Sequence, residues 1–252
     1  MNEIFYGSLH NHTDFSNLRL RDCIIKTEDL IDTALSLGHS VLAITDHEAV
    51  SNAIKAQKYY YQKKKDNPDF KLILGNEIYL TETREPKQKY YHFILIAKDN
   101  DGYTQLKKLS SLAWTNIYEY GRLERVPTLK EDLKRIIKEN PGHVIATSAC
   151  IGGELSSNAL LMAKARAVGD NQNAKIYYDN INNFLNYCLD IFGSDFYIEC
   201  APSTDEEQIL VNQTLYKISK ALGIPMVIGT DAHYLRPEDR PIHRAYLTSK
   251  DG

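Results

Sequence analysis

Paired cysteines, an excess of one charge and long apolar runs are all missing from this chain of 252 residues. Its four cysteines, Cys23, Cys150, Cys188 and Cys200, form no CxxC pair and keep no regular spacing. That excludes a disulfide framework and points to reduced thiols. Lys plus Arg count 30 against 33 Asp plus Glu, a net charge of −3, so no bulk basic field draws nucleic acid. Any such binding must come from a local patch or from metal ions. No apolar run approaches membrane-spanning length. The opening Met1-Asn-Glu-Ile lacks the basic start and apolar core of a signal peptide. The expectation is a soluble cytoplasmic protein with no membrane partner. Internal repeats, low-complexity segments and linkers are absent too, which argues for a single domain over 1–252.

What is present is an alternation of strand-like and helix-like stretches. Residues 3–9 read as a strand, followed by a loop over 13–25. Thr27 is placed to cap a helix in which Leu30, Ala34 and Leu37 recur at helical spacing. Further strands are expected at 40–45, 72–80, 90–97, 143–147, 195–199 and 225–229. Helices are expected at 51–66, 101–118, 129–140 (capped by Thr128), 153–168, 174–192 and 205–222, with a polar loop over 119–126. Roughly seven strand–helix units argue for a parallel α/β architecture, with a (β/α) barrel as first choice. Residues 236–252 read as an outgoing helical tail.

The chemistry gathers at the ends of these runs. His10 and His12 are two residues apart in an extended stretch, so both rings point to one side. Asp46-His47, Glu77, His92, Cys150 and Asp231-Ala-His233 each mark another strand-like run. In an α/β barrel the chemistry sits at the C-terminal strand ends, where these residues are expected. A set of N, O and S donors suits Zn²⁺, Mn²⁺ or Fe²⁺ better than Mg²⁺ or Ca²⁺. There are more donors than one ion uses, so two to three divalent ions are expected. Glu77 can bridge two of them. Neighbouring ions generate hydroxide at neutral pH and stabilise both oxygens of an in-line phosphoryl displacement, so the expected reaction is phosphate-ester hydrolysis.

Blander readings hold for single residues. His39, His143 and His243 read as surface or hydrogen-bonded histidines, and Asp46 as an orienting rather than a ligating group. Lys55 to Lys65 interleaves bases with Tyr59, Tyr60 and Tyr61, and is read as a solvated helix face with tyrosines over the core. Arg19 and Arg21, between His12 and Asp22, are the better candidates for holding substrate phosphate.

The motifs His10-Asn-His12-Thr-Asp-Phe-Ser16, Ile44-Thr-Asp-His47, Gly75-Asn-Glu77, His92-Phe-Ile-Leu-Ile-Ala97, Ser148-Ala-Cys150-Ile-Gly-Gly-Glu154 and Gly229-Thr-Asp231-Ala-His233 resemble the PHP (polymerase and histidinol phosphatase) domain family. The resemblance implies a distorted (β/α)7 TIM-like barrel with a trinuclear metal site at the C-terminal strand ends. It assigns His10, His12, Glu77 and Asp231 to one ion, and Glu77, His92 and Cys150 to a second. Asp22, His47 and His233 take the third, with Asp14 as the alternative to Asp22. Glu77 and Asp231 are read as the catalytic pair. Lys98 to Ser111, Arg125-Val-Pro127 and Tyr234 to Asp239 resemble the branch found in bacterial replicative DNA polymerase III alpha subunits. That branch implies a 3′–5′ exonuclease of proofreading type, with a DNA 3′ end as substrate and a replicative polymerase as partner, in cis or in trans. The alternatives are a phosphatase for a small phosphomonoester and a non-catalytic stabilising module of a polymerase. The ending at Gly252 leaves no room for a polymerase palm, so the expectation is an excised domain or a free-standing, viral-type relative.

Overall fold

A computed structural model describes residues 6–85, 87–120 and 123–249. In chain order the elements are β1 (Gly7–Ser8), α1 (Thr27–Ser36), β2 (Val41–Ile44), α2 (Ala53–Lys63), β3 (Lys71–Thr81), β4 (Tyr91–Ala97) and α3 (Asn100–Thr115). There follow β5 (Tyr118–Tyr120), β6 (Leu123–Arg125), β7 (Thr128–Leu129), α4 (Lys130–Glu139), β8 (Val144–Thr147), α5 (Glu154–Ala167) and α6 (Asn171–Phe192). The chain closes with β9 (Phe196–Cys200), α7 (Glu206–Leu222), β10 (Met226–Ile228) and α8 (Arg240–Thr248). Seven strands follow one another in the main sheet as β1-β2-β3-β4-β8-β9-β10, with β7 paired to β3 off that path. The fold is therefore the α/β, (β/α)7 class expected from the sequence. Two compact units divide the chain: Met1–Glu77 with Thr230–Gly252, and Ile78–Gly229.

In the first unit β1, β2 and β3 run parallel, with Gly7 opposite Val41 and Val41 opposite Lys71. Leu30, Ile31 and Ala34 of α1 and Ala56 and Tyr60 of α2 bury their apolar stripe with Leu42, Ile44 and Phe70. The helix α1 begins at Thr27, but Thr27 does not cap it. Its hydroxyl donates instead to Asn52 Oδ1 at 3.0 Å, and Lys26 occupies the cap with no side-chain bond. Tyr60 covers the core as expected, while Tyr61 is exposed. Lys55 and Lys63 are paired with Glu28 and Asp32. Of the strand expected at 3–9, Gly7 and Ser8 are in β1, and residues 1–5 lie outside the described residues.

In the second unit β8, β9 and β10 are parallel, but β4 pairs with β8 antiparallel, Ile94 facing Thr147. This corrects the all-parallel expectation. The stretch from β3 to β4 holds nine residues, 82–90, with no helix among those described. A parallel crossover needs about a dozen residues or more, so the chain reverses there. The expected loop 119–126 overlaps the antiparallel strands β5 and β6. Thr128 is a strand residue, and Leu129, not Thr128, precedes α4 as its cap. Phe93, Phe184 and Phe196 form the aromatic centre, with ring centroids 6.0 and 6.4 Å apart from Phe184 and edge-on geometry. Among the described residues no helix is long and apolar enough to cross a membrane.

Candidate metal centre

Strand ends place the donors of the first unit. His10 and His12 follow β1, where extended backbone sends alternate side chains to one side. His47 follows β2 and pairs in parallel with Glu77. Glu77 is not at the end of its strand but inside β3, because β3 runs on past the level where β2 stops, to pair with β7. Asp231 and His233 follow β10 in sequence, and Ala232 between them bridges to Asn11. Asp231 has φ 48° and Glu48, next to His47, has φ 53°. Non-glycine residues in the left-handed region carry a steric cost, and here they turn the backbone where ligand side chains must converge.

The result is a tight, buried cluster. Asp231 Oδ1 lies 3.3 Å from His10 Nε2 and 3.2 Å from His12 Nε2. Glu77 Oε2 lies 3.1 Å from His12 Nε2 and 2.8 Å from His47 Nδ1. Asp22 Oδ2 lies 3.0 Å from His47 Nε2 and 3.8 Å from His233 Nε2. The His12 ring sits 4.2 Å from that of His47 and 4.3 Å from that of His233. The donors His10, His12, Glu77 and Asp231 lie within 4.8 Å of one another, and so do those of His12, His47 and His233. Asp14, the alternative to Asp22, turns away to Lys26 Nζ at 2.7 Å.

Hydrogen bonds fix which nitrogens are available. Ser16 Oγ donates to Asp46 Oδ1 at 2.9 Å and accepts from the His47 backbone N–H at 3.1 Å. Its only hydrogen is thus engaged, so the 3.0 Å contact with His12 Nδ1 must be a bond from His12 to Ser16. With Nδ1 engaged, Nε2 is the atom that His12 turns to the two carboxylates, and it would be the one to bind an ion. His233 Nδ1 is 3.0 Å from the Asp231 carbonyl oxygen, which can only accept, and this leaves His233 Nε2 turned to the cluster as well. Metal-binding histidines are oriented in this way, through the second ring nitrogen. Lone pairs facing carboxylates repel unless a proton or a metal cation lies among them, and the donor set fits divalent ions. Asp46 itself is no ligand: its carboxylate accepts from Thr13 N (2.6 Å), the Thr13 and Ser16 hydroxyls and Asn52 Nδ2.

Without an ion, the imidazoles themselves supply the positive charge beside the carboxylates. Burial disfavours charge on His47, but Glu77 and Asp22 at its two nitrogens overcome this and push it up to about 10. Burial likewise opposes ionisation of Asp22 and Asp231, yet the imidazoles hold both below the usual carboxylate range. Burial and the neighbouring His12 bring His233 down to about 4. Three carboxylates out of water need positive charge beside them.

His92 and Cys150 belong to the second unit, where Cys150 Sγ lies 3.6 Å from His92 Nδ1. His92 stands near the start of β4, not at its end. The reversal of β4 brings that start level with the end of β8, after which Cys150 follows. Gly152 lets the His92 ring approach, since a Cβ there would come within 3.1 Å of it. Arg19 is half-buried and Arg21 exposed, both on the loop between His12 and Asp22. His143 pairs with Asp99 at 2.7 Å, the hydrogen-bonded role expected of it. Sequence reasoning missed the orienting groups Ser16, Thr13 and Asn52. For Ser16 a signal existed, since a hydroxyl four residues after His12 lies one turn away.

A family model for the PHP domain matches residues 8–203. The chain belongs to the PHP domain family. This PHP domain is 43% identical over 255 aligned positions to a DNA-directed DNA polymerase of Bacillus phage SPbeta, covering 96% of this chain and 20% of that protein. It is 33% identical over 238 positions to the DNA polymerase III subunit alpha of Borreliella burgdorferi, covering 92% of this chain and 18% of the relative. The PHP domain chain thus spans about a fifth of the length of the curated relatives it matches. Among solved structures, an amidohydrolase from Chromobacterium violaceum aligns with a TM-score of 0.47 and 12% identity, over 95% of this chain and 96% of that one.

Proposed function

We propose that this PHP domain is a metal-dependent phosphodiesterase, a 3′–5′ exonuclease acting on DNA. One observation carries the reading: four imidazoles and three carboxylates converge in the first unit, with Nδ1 of His12 and of His233 engaged so that each turns Nε2 to the cluster. Such a set holds divalent ions of the Zn, Mn or Fe type. Bound there, the ions would supply a hydroxide at neutral pH and charge stabilisation at the phosphorus oxygens. His10, His12, Glu77 and Asp231 would hold one, and Asp22, His47 and His233 another. His92 and Cys150 would contribute to a third, with the sharing of Glu77 that the family resemblance implies. In this reading Glu77 and Asp231 are catalytic, the two units serve one domain, and Arg19 and Arg21 hold substrate phosphate. Membership of the PHP family and likeness to DNA polymerases support a DNA end as substrate, a polymerase as partner, in cis or in trans, and a place in the cytoplasm.

The test is degradation of a 5′-labelled primer with a 3′ mismatch, in Mn²⁺ or Zn²⁺, with a chelator and with Asp231→Asn alongside. The expected result is a ladder shortening from the 3′ end, lost in the variant and on chelation. Turnover unchanged in Asp231→Asn would sink the site, and hydrolysis of small phosphomonoesters alone would sink the substrate. Arg19→Ala with Arg21→Ala should raise KM; an unchanged KM and kcat would remove them from the substrate contact.

A further inference from the structure

The loop that carries Asp22 is fastened along two edges. On one, the Asn17 side chain closes it: Oδ1 accepts from the backbone N–H groups of Asp22 (3.0 Å) and Cys23 (3.1 Å), and Nδ2 donates to the Cys23 carbonyl (2.8 Å). On the other, it meets the segment that runs from His233 into α8. The Ile24 N–H donates to the His233 carbonyl at 3.2 Å, and Cys23 Sγ lies 3.6 Å from the same oxygen. The remaining fastening is a side chain of α8: His243 Nε2 lies 2.6 Å from the Asp22 carbonyl oxygen. That oxygen can only accept, so His243 donates whatever its charge. Its half-buried ring lies 5.3 Å from Tyr234 and 5.9 Å from His233.

We propose that His243 is a positioning residue for the ion held by Asp22, His47 and His233, which makes α8 a latch on that position. The inference rests on the metal-centre reading above. The bond from His243 holds the peptide plane immediately after Asp22, and with it the backbone position from which the Asp22 carboxylate reaches. Asp22 Oδ2 then faces His47 Nε2 at 3.0 Å and His233 Nε2 at 3.8 Å. A ligand oxygen tolerates displacement of only about 0.2 Å before coordination suffers. The bond thus transmits the placement of α8 to one ion and spares the ion held by His10, His12, Glu77 and Asp231, to which the Asp22 loop gives no ligand. Displacing α8 removes one fastening of the Asp22 loop without touching a ligand directly.

The experiment is a Mn²⁺ titration of the whole chain, with free Mn²⁺ read by electron paramagnetic resonance and the metal-free Tm measured beside it. His243→Phe keeps a ring for packing but removes the donor, and His243→Gln restores a donor. Ile242→Ala alters an exposed residue of the same helix. The expected result is a loss of about tenfold or more in the affinity of one ion in His243→Phe, with the other ions and the metal-free Tm unchanged. His243→Gln and Ile242→Ala should then bind as the parent does. A His243→Phe isotherm that superposes on the parent overturns the proposal. So does a uniform weakening of all ions together with a lowered metal-free Tm, which would mark a packing role. If His243→Phe does not fold, His243→Gln decides: parental affinity supports the donor, and loss of one ion overturns it. A parent chain that binds no Mn²⁺ or Zn²⁺ would overturn the metal-centre reading itself, a distinct outcome.

Discussion

Both compact units bury an apolar core, but the first also buries a dense cluster of ionisable side chains. In the first, His10, His12, Thr13, Ser16 and Glu77 are completely buried, and Asp46, His47 and Asn52 nearly so. In the second, the deepest side chains include Phe93, Phe184, Phe196, Leu106 and Leu133. Charged groups are held there too: Glu199 is buried and accepts from the Thr147 hydroxyl, and Lys130 Nζ reaches Glu82 at 2.6 Å and Glu154 at 2.9 Å beside the rings of Phe184 and Tyr187. That trio closes on itself: burial raises Glu154 above the usual carboxylate range, and Lys130, held by two acids, stays charged despite its own burial. The first unit's cluster closes only through protons on its imidazoles or through divalent ions that take their place. Apolar burial stabilises a fold by itself, whereas buried carboxylates stabilise it only together with what they bind. Apart from His92 and Cys150, the second unit therefore reads as scaffold, and the first as a site whose stability depends on its ions.

Truncating the scaffold should have the largest effect on stability. Phe184→Ala removes a ring buried against Phe93 and Phe196, and is expected to cost about 3–5 kcal/mol, read as a fall in the denaturation midpoint. A loss under about 1 kcal/mol would mean that the aromatic centre is not what holds that unit. His12→Ala should do the reverse. It should take hydrolysis to background while the metal-free Tm stays near that of the parent, because the removed ring is one of several competing charges. Removal of metal comes next. With ions at about a hundredfold over their Kd, chelation should cost about 2.7 kcal/mol per site. The same chelation applied to His12→Ala should cost less, and equal losses in parent and variant would place the ions elsewhere.

Much of this was legible in the sequence because strand-end motifs are local. His-x-His after a strand, Asp-x-His after the last one and the alternation of strands with helices each depend on residues within reach of one another. What escaped was set by pairing over distance. Glu77 reads as a strand-end residue until β3 is seen to outrun β2, and His92 reads as one until β4 is seen to reverse. The nine residues at 82–90, too few for a parallel crossover, were the available sign of that reversal. Thr27 has the right type for a cap, but tertiary structure gave its hydroxyl to Asn52. The bond from His243 to Asp22 spans 221 positions, and no local pattern announces it.

The smallest expected effect is the sharpest probe of the contrast between the units. Ser16 coordinates nothing, yet its hydroxyl links three groups: it donates to Asp46, and accepts from the His47 backbone and from His12 Nδ1. Ser16→Ala should leave the fold intact and free the His12 ring to change tautomer or rotate. Loss of such an orienting bond typically lowers metal affinity about 10–100-fold. At saturating metal the variant should recover most of its hydrolytic activity, because every ligand is still present. Thermal melts in chelator should show a change of only about 1 kcal/mol, the net worth of an ordinary hydrogen bond. If metal affinity is unchanged, the Nδ1–Ser16 bond does not orient His12. If activity stays lost even at saturating metal, Ser16 has a role in the reaction itself, and the separation between orienting and ligating residues drawn for the first unit must be redrawn.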